Sequence, residues 1–172
     1  MSRERSPGGA GAAVEHSLFL PDADATAALA EALAATRPER AVVHLRGDLG
    51  AGKSTLARAW LRALGVTGPV RSPTYTLVER YPLASGGEAL HLDLYRIGDA
   101  GELEFLGLDD ADARLWLVEW PERGRGGLPK ADLEVHLGIE GEGRRCGLAF
   151  RGNAGESWRA AFVRQWPLAG AC

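Results

Sequence analysis

The chain has 172 residues, 45% hydrophobic and 25% charged, enough to bury one sizeable core and ordinary for a soluble globular protein. No run of eighteen apolar residues occurs, which excludes a membrane-spanning helix. Twenty basic against twenty-three acidic side chains leave a net charge of −3, too balanced for strong independent binding to a nucleic-acid backbone.

Residues 1–14 carry charge and glycine but no apolar signal core, and read as a flexible leader before a single domain over 15–172. After a short apolar run, Ser17 to Leu20, Pro21 and Asp22 introduce an alanine-rich helix over Ala23–Thr36. Leu29 and Leu33 mark its apolar face, and Pro38 ends the pattern. Ala41 to Leu45 reads A-V-V-H-L, a short strand leading into a glycine-rich turn. The next periodic segment, Ser54–Leu64, puts Leu56, Ala59, Trp60, Ala63 and Leu64 on one side, with Gly65 at the C-cap.

Thr76–Tyr81 and Ala89–Tyr95 are β-rich and joined by P-L-A-S-G-G, a hairpin pattern. Asp99 caps a short helix through Phe105. Leu115–Val118 is a continuous apolar run, as expected of a strand covered on both faces. Leu133–Ile139 and Cys146–Arg151 are further strands, and Ala154–Trp166 is an amphipathic helix that covers a sheet edge or meets a partner. The expected fold is α/β: a P-loop NTPase-like three-layer sandwich on a mixed sheet, with a parallel core and antiparallel edge strands. Cys146 and Cys172 form no C-x-x-C pair; they offer no cysteine-built zinc site and fit a reducing, cytoplasmic compartment.

The turn Gly47-Asp48-Leu49-Gly50-Ala51-Gly52-Lys53-Ser54 fits G-x-x-x-x-G-K-[ST], the phosphate-binding loop. Phosphate oxygens must come close to the backbone, and glycines remove the Cβ atoms that would block them. The helix start adds partial positive charge. Lys53 brings a full charge to the β- and γ-phosphates, and the Ser54 hydroxyl is placed to ligate magnesium. The motif follows an apolar strand and opens an apolar-faced helix, the setting it requires. No N-K-x-D guanine-reading element is present, which favours ATP.

A second strand must bring a carboxylate to the metal, and two compete. Asp93 ends A-L-H-L-D, whose alternation suggests a half-exposed hairpin strand. Glu119 ends L-W-L-V-E, whose apolar run suits a buried parallel strand beside that of the loop, and ligands in open α/β sheets gather beyond carboxyl ends of strands. Glu119 is therefore expected on the magnesium side, or as a rim carboxylate paired with an arginine. Asp93 is expected to orient attacking water or to sense the γ-phosphate, with His91 on the same face to tune it. His44 is expected as a core or sheet-edge residue. In Arg71-Ser72-Pro73-Thr74-Tyr75-Thr76, the hydroxyls of Ser72, Thr74 and Thr76 can contact a γ-phosphate or its metal, making a switch, or simply lead into a strand.

The succession G-D-L-G-A-G-K-S, R-S-P-T-Y-T-L-V-E-R-Y, H-L-D-L-Y-R, E-L-E-F-L-G and L-V-E-W-P-E resembles the bacterial TsaE (YjeE) family over about Leu20 to Ile139. The resemblance implies an ATPase needed for threonylcarbamoyladenosine beside the anticodon of tRNAs reading codons that begin with A. It also implies docking on TsaB-like and TsaD-like partners, with hydrolysis resetting the assembly and tRNA contacted only within it. The family's magnesium ligands fall on Ser54 and Glu119. Its nucleotide contacts fall on Gly47, Asp48, Leu49, Gly50, Ala51, Gly52, Lys53, Ser54 and Thr55, and its important aspartate on Asp93. Trp120 matches a tryptophan beside the nucleotide, or else plugs the sheet edge. Ser54 replaces a threonine common in relatives and keeps the hydroxyl. Pro21–Asp24 resembles an entry loop near the adenine, where Ala23 stands in place of a longer polar side chain. The tail beyond Arg151 matches poorly.

Lys53 and Asp93 are the expected catalytic residues, with ATP and Mg²⁺ as substrate and cofactor and Thr74 among the nucleotide contacts. Two other functions use the same loop. A small-molecule kinase would need an arginine-bearing lid, which Arg123 and Arg125 can mimic. A nucleotide-gated binding module would change only its affinity for a partner.

Overall fold

The computed structural model describes residues 15–166; the expected leader over 1–14 and Cys172 lie outside the described residues. The chain runs β1 (His16–Leu20), α1 (Ala23–Thr36), β2 (Ala41–Arg46), α2 (Lys53–Ala63), β3 (Val78–Pro82), β4 (Glu88–Asp93), β5 (Ala113–Glu119), β6 (Leu133–Glu140), β7 (Gly143–Phe150) and α3 (Gly152–Gln165). Asp22 starts α1 because its extended backbone lets the carboxylate accept from the Ala25 amide at 2.9 Å. Gly65, at φ 86°, follows the end of α2, where a left-handed residue stops a helix at little cost.

All seven strands form one sheet in the order β1-β7-β6-β2-β5-β4-β3. β2 pairs in parallel with both β5 and β6, and β4 in parallel with β5. β1, β7 and β3 are added antiparallel. The parallel core and antiparallel edges are as expected, and β5 does lie beside the strand of the glycine loop.

The two faces are covered differently. Inward residues Val43, Leu45, Leu115, Leu117, Leu133 and Val135 pack with Leu29, Leu33, Leu56, Trp60, Trp158 and Phe162 of the three α-helices. Burying each of these large apolar side chains contributes about 1.5–3 kcal/mol. On the other face Leu90, Leu92 and Val118 pack with Leu94, Ile97 and Leu103, so that layer is made by the 3-10 segment Ala100–Leu106 and its flanking loops. α3 lies over β7 and against α1 instead of along a sheet edge. Its Trp158 meets Trp60 and Phe150 edge to face, with centroids 5.9 and 5.8 Å apart, and donates its indole N–H to Thr36 Oγ1 at 3.1 Å.

Two expectations needed correction in the middle of the chain. β3 begins at Val78, not Thr76, because residues 73–77 form a turn: the Leu77 amide donates to Pro73 O at 2.8 Å and Leu77 itself sits at φ 66°. β4 is not half exposed. It lies between β3 and β5, and every residue from Ala89 to Asp93 is buried. The alternation in A-L-H-L-D separates two buried faces instead of core from solvent: Leu90 and Leu92 pack with Leu94, Ile97 and Leu103, while His91 and Asp93 are buried on the face they share with Leu117 and Glu119 of β5.

Candidate functional site

The carboxyl ends of β2, β5 and β4 lie side by side, and the loop after β2 turns over them into α2. Gly47 is where this turn is tightest. At φ 148° a Cβ there would stand 2.4 Å from the Leu137 carbonyl oxygen of β6, so no side chain fits. Gly52, at φ 106°, precedes α2 and provides no side-chain cap for the helix. The first amides of α2 are thus left to an external acceptor.

Lys53 opens α2 and folds back under the loop, where its ammonium donates to the carbonyls of Gly47 and Asp48, the latter at 2.9 Å. It also stands 4.4 Å from the centroid of the Trp120 ring, a cation–π contact. Burial pulls the Lys53 pKa below its ordinary value, against the opposing pull of the Glu119, Asp93, Glu122 and Asp48 carboxylates. Trp120 holds its place through a left-handed backbone, φ 56°, which for a bulky residue is a strained conformation. Its indole also lies 5.0 Å from the Tyr95 ring.

Ser54 donates its hydroxyl to Glu119, at 3.0 Å from Oε1 and 3.2 Å from Oε2. His91 Nε2 lies 2.6 Å from Glu119 Oε2. Asp93 is in register with Glu119 on the neighbouring strand and accepts the Tyr95 amide at 3.0 Å. Burial raises the Asp93 pKa; the Tyr95 amide opposes this, the Glu119 charge reinforces it, and His91 and Lys53 act against it. A hydroxyl, two carboxylates, a lysine and free helix amides converge on one cavity of about 350 Å³. Oxygen donors of this kind suit a hard divalent cation such as magnesium, and the lysine with the amides suits phosphate.

The cavity is lined by Leu49, Gly50, Gly52, Lys53, Ser54, Thr55, Thr74, Asp93, Glu119 and Trp120 among the expected residues. Gly47, Asp48 and Ala51 shape the loop without lining it: Gly47 and Asp48 supply the carbonyls that hold Lys53, and Ala51 is buried in the core. Of the hydroxyl segment only Thr74 reaches the cavity; Ser72 and Thr74 share a hydrogen bond of 2.7 Å, and Thr76 turns to Glu79 at 3.0 Å. His44 is buried in central strand β2, and burial, then the Arg46 charge, lower its pKa. Arg123 rests its guanidinium 5.1 Å from the Tyr95 ring centroid, and neither it nor Arg125 lines the cavity.

Three lining residues had been given no role from sequence: Tyr95, Arg96 and Arg144. Tyr95 and Arg96 lay within H-L-D-L-Y-R, where a motif signal existed. Arg144 had none. It projects from β7, opposite Leu20 and Ile139, and donates to the carbonyls of Ala51 at 3.0 Å and Gly50 at 3.2 Å. It also borders a second cavity of about 190 Å³ with Pro21, Asp22, Ala23, Gly52, Thr55 and Glu142, so the 21–24 segment adjoins the phosphate loop.

A family model described as "Threonylcarbamoyl adenosine biosynthesis protein TsaE" matches residues 20–146. A tRNA threonylcarbamoyladenosine biosynthesis protein TsaE from Haemophilus influenzae is 45% identical over 137 residues, covering 77% of this chain and 85% of its own. The protein of the same name from Aquifex aeolicus is 38% identical over 130 residues, or 74% and 90% of the two chains. The crystal structure of YdiB from Bacillus subtilis superposes with a TM-score of 0.71 at 27% identity, over 87% of this chain and 94% of that one.

Proposed function

Since the chain belongs to the TsaE family of threonylcarbamoyl adenosine biosynthesis proteins, we propose that it is the magnesium-dependent ATPase subunit of a tRNA-modifying assembly. The observation that carries this reading is the meeting of Lys53, Ser54, Asp93 and Glu119 in one cavity under the glycine loop. In it, the loop amides and Lys53 hold the triphosphate, with the lysine leaving its carbonyl partners for phosphate oxygens. Ser54 and Glu119 are the residues that would hold magnesium, whose contribution when bound is to neutralise charge on the β- and γ-phosphates. Asp93 orients the water that attacks the γ-phosphorus in line, and Thr74 contacts the γ-phosphate. The Ser54 hydroxyl already donates its hydrogen bond to Glu119, which leaves its oxygen lone pairs free for a cation.

The partners are TsaB-like and TsaD-like proteins in the cytoplasm, with tRNA contacted inside that complex; among the described residues no helix is long and apolar enough to cross a membrane. Hydrolysis resets or regulates the partner pair. Calorimetric titration of the purified chain with ATP and ADP, with and without magnesium, tests the site: absence of binding heat would overturn the reading. Capture from cell extract in ATP or ADP tests the assembly. Recovery of two larger proteins with tRNA is expected. Phosphate transfer to a small metabolite at a rate well above that of ATP hydrolysis would point to a kinase instead.

A further inference from the structure

Glu119 is held from two sides. From the solvent side Ser54 donates to its carboxylate, and from the interior His91 Nε2 approaches Oε2 to 2.6 Å. Both partners of the second contact are almost fully buried, at 1% exposure for His91 and 2% for Glu119. A carboxylate that serves as a cation ligand is ionised and only accepts, so in that role the contact has Nε2 carrying the proton and donating. The other ring nitrogen, Nδ1, is buried without a hydrogen-bond partner among the described residues. A buried imidazole placed only for packing would be an expensive choice here, because an unpaired buried polar atom costs stability. The single polar contact it does make is to the carboxylate.

The register explains how the two meet. His91 pairs with Leu117 across β4 and β5, one pleat before Asp93 pairs with Glu119. His91, Asp93 and Glu119 therefore share the sheet face that looks towards the start of α2, and the imidazole reaches diagonally to the carboxylate. Held this way, Glu119 cannot rotate Oε2 freely, and its remaining lone pairs stay aimed at the Ser54 hydroxyl.

We propose that His91 is a positioning residue that fixes the Glu119 carboxylate for a divalent cation; this rests on the reading of Ser54 and Glu119 as the cation ligands. Removing the outer-sphere partner of a metal ligand typically weakens metal binding by about 10–100-fold. A glutamine side chain can present an amide N–H where Nε2 stands, whereas asparagine can present one only near the Nδ1 position.

The test measures manganese binding by electron paramagnetic resonance at saturating ADP, and ADP binding in EDTA, for the whole chain and for His91→Asn, His91→Gln and Glu119→Gln. His91→Asn should weaken manganese at least tenfold while changing ADP affinity in EDTA by less than twofold, and His91→Gln should recover most of the loss. Manganese binding by His91→Asn equal to that of the unaltered chain, equal loss of ADP binding in EDTA, or no recovery in His91→Gln would each overturn the proposal. Nitrogen-15 imidazole spectra of the unaltered chain guard against a variant that does not fold. The proton on His91 Nε2 should be present and should shift when magnesium joins ADP, but not with ADP in EDTA; an unmoved signal overturns it. If Glu119→Gln left manganese binding intact, the ligand assignment itself would fall, a result distinct from failure of His91 alone.

Discussion

Asp93 and Glu119 stand opposite each other in register at the carboxyl ends of two adjacent parallel strands, both buried beside the Lys53 ammonium. Both carboxylates act on the one lysine, yet their surroundings differ. Glu119 is engaged by Ser54 and His91, whereas Asp93 takes a backbone amide. The division of labour proposed above follows from that difference. Glu119→Ala should raise the magnesium concentration needed for half-maximal hydrolysis by tenfold or more, about 1.4 kcal/mol, and Asp93→Ala should lower turnover with little change in that concentration. Equal magnesium dependence in the two variants would refute the assignment.

Lys53→Ala should abolish ATP hydrolysis. The ammonium is the only full positive charge on the loop itself, and a hydrogen bond to a charged group is worth about 1.5–3 kcal/mol, so ADP affinity should also fall by at least tenfold. Stopped phosphate release together with calorimetry would check both. Hydrolysis at the original rate would remove the loop from the chemistry.

Asp93 should make the folded protein respond to pH in a definite direction. Its folded pKa is raised above the ordinary carboxylate value, chiefly by burial, so the native state holds the proton more tightly than the unfolded chain does. The ionised carboxylate therefore costs stability above its folded pKa, and the cost disappears as pH falls below the ordinary value of 3.8. Asp93→Asn keeps an acceptor for the Tyr95 amide and removes the charge. Its melting midpoint should exceed that of the unaltered chain at about pH 7, with the gap closing by about pH 4. A gap that widened on acidification would contradict this account.

Much of this site could be read from the chain order. An apolar strand, a glycine loop ending in Lys53-Ser54 and a helix with one apolar face are local patterns, and the unbroken apolar run before Glu119 announced a strand buried on both sides. The strand ending in Asp93 reads as half exposed because it alternates, yet it is buried on both faces. Alternation marks exposure only when one face meets water; here Leu94, Ile97 and Leu103 cover the Leu90 and Leu92 face, and His91 and Asp93 are buried on the opposite face with Glu119. Arg144 and the His91–Glu119 contact were beyond local reading. Each depends on strand register, between β7 and its neighbours or between β4 and β5, and no spacing within one segment encodes that.

The glycines of the loop should differ in what they tolerate. Gly50 sits at φ 79° with nothing within 4 Å of an added Cβ, so Gly50→Ala should cost only the left-handed backbone penalty, about 1–2 kcal/mol. Gly47→Ala carries that kind of strain and also drives a methyl against the Leu137 carbonyl of β6. It should cost about 1–3 kcal/mol more and separate the loop from β6. Denaturant unfolding of the two variants measures the difference directly, and equal stabilities would mean that the contact between loop and β6 is not held in solution.

Arg144 should matter to the loop's shape more than to the fold. Its guanidinium ties the carbonyls of Gly50 and Ala51 to the end of β7, which holds the loop backbone in one arrangement. The side chain is only half-buried, so its loss should change global stability by less than about 1 kcal/mol. Nucleotide affinity should respond more: with Arg144→Ala the loop must be reordered on binding, and ADP affinity should fall about fivefold, equivalent to about 1 kcal/mol. Arg144→Lys should recover little of this, because an ammonium is a point donor and cannot span two carbonyls with the planar fork of a guanidinium. A lysine variant that bound ADP as tightly as the unaltered chain would show that positive charge alone, and not the two-carbonyl clamp, is what the loop requires at this position.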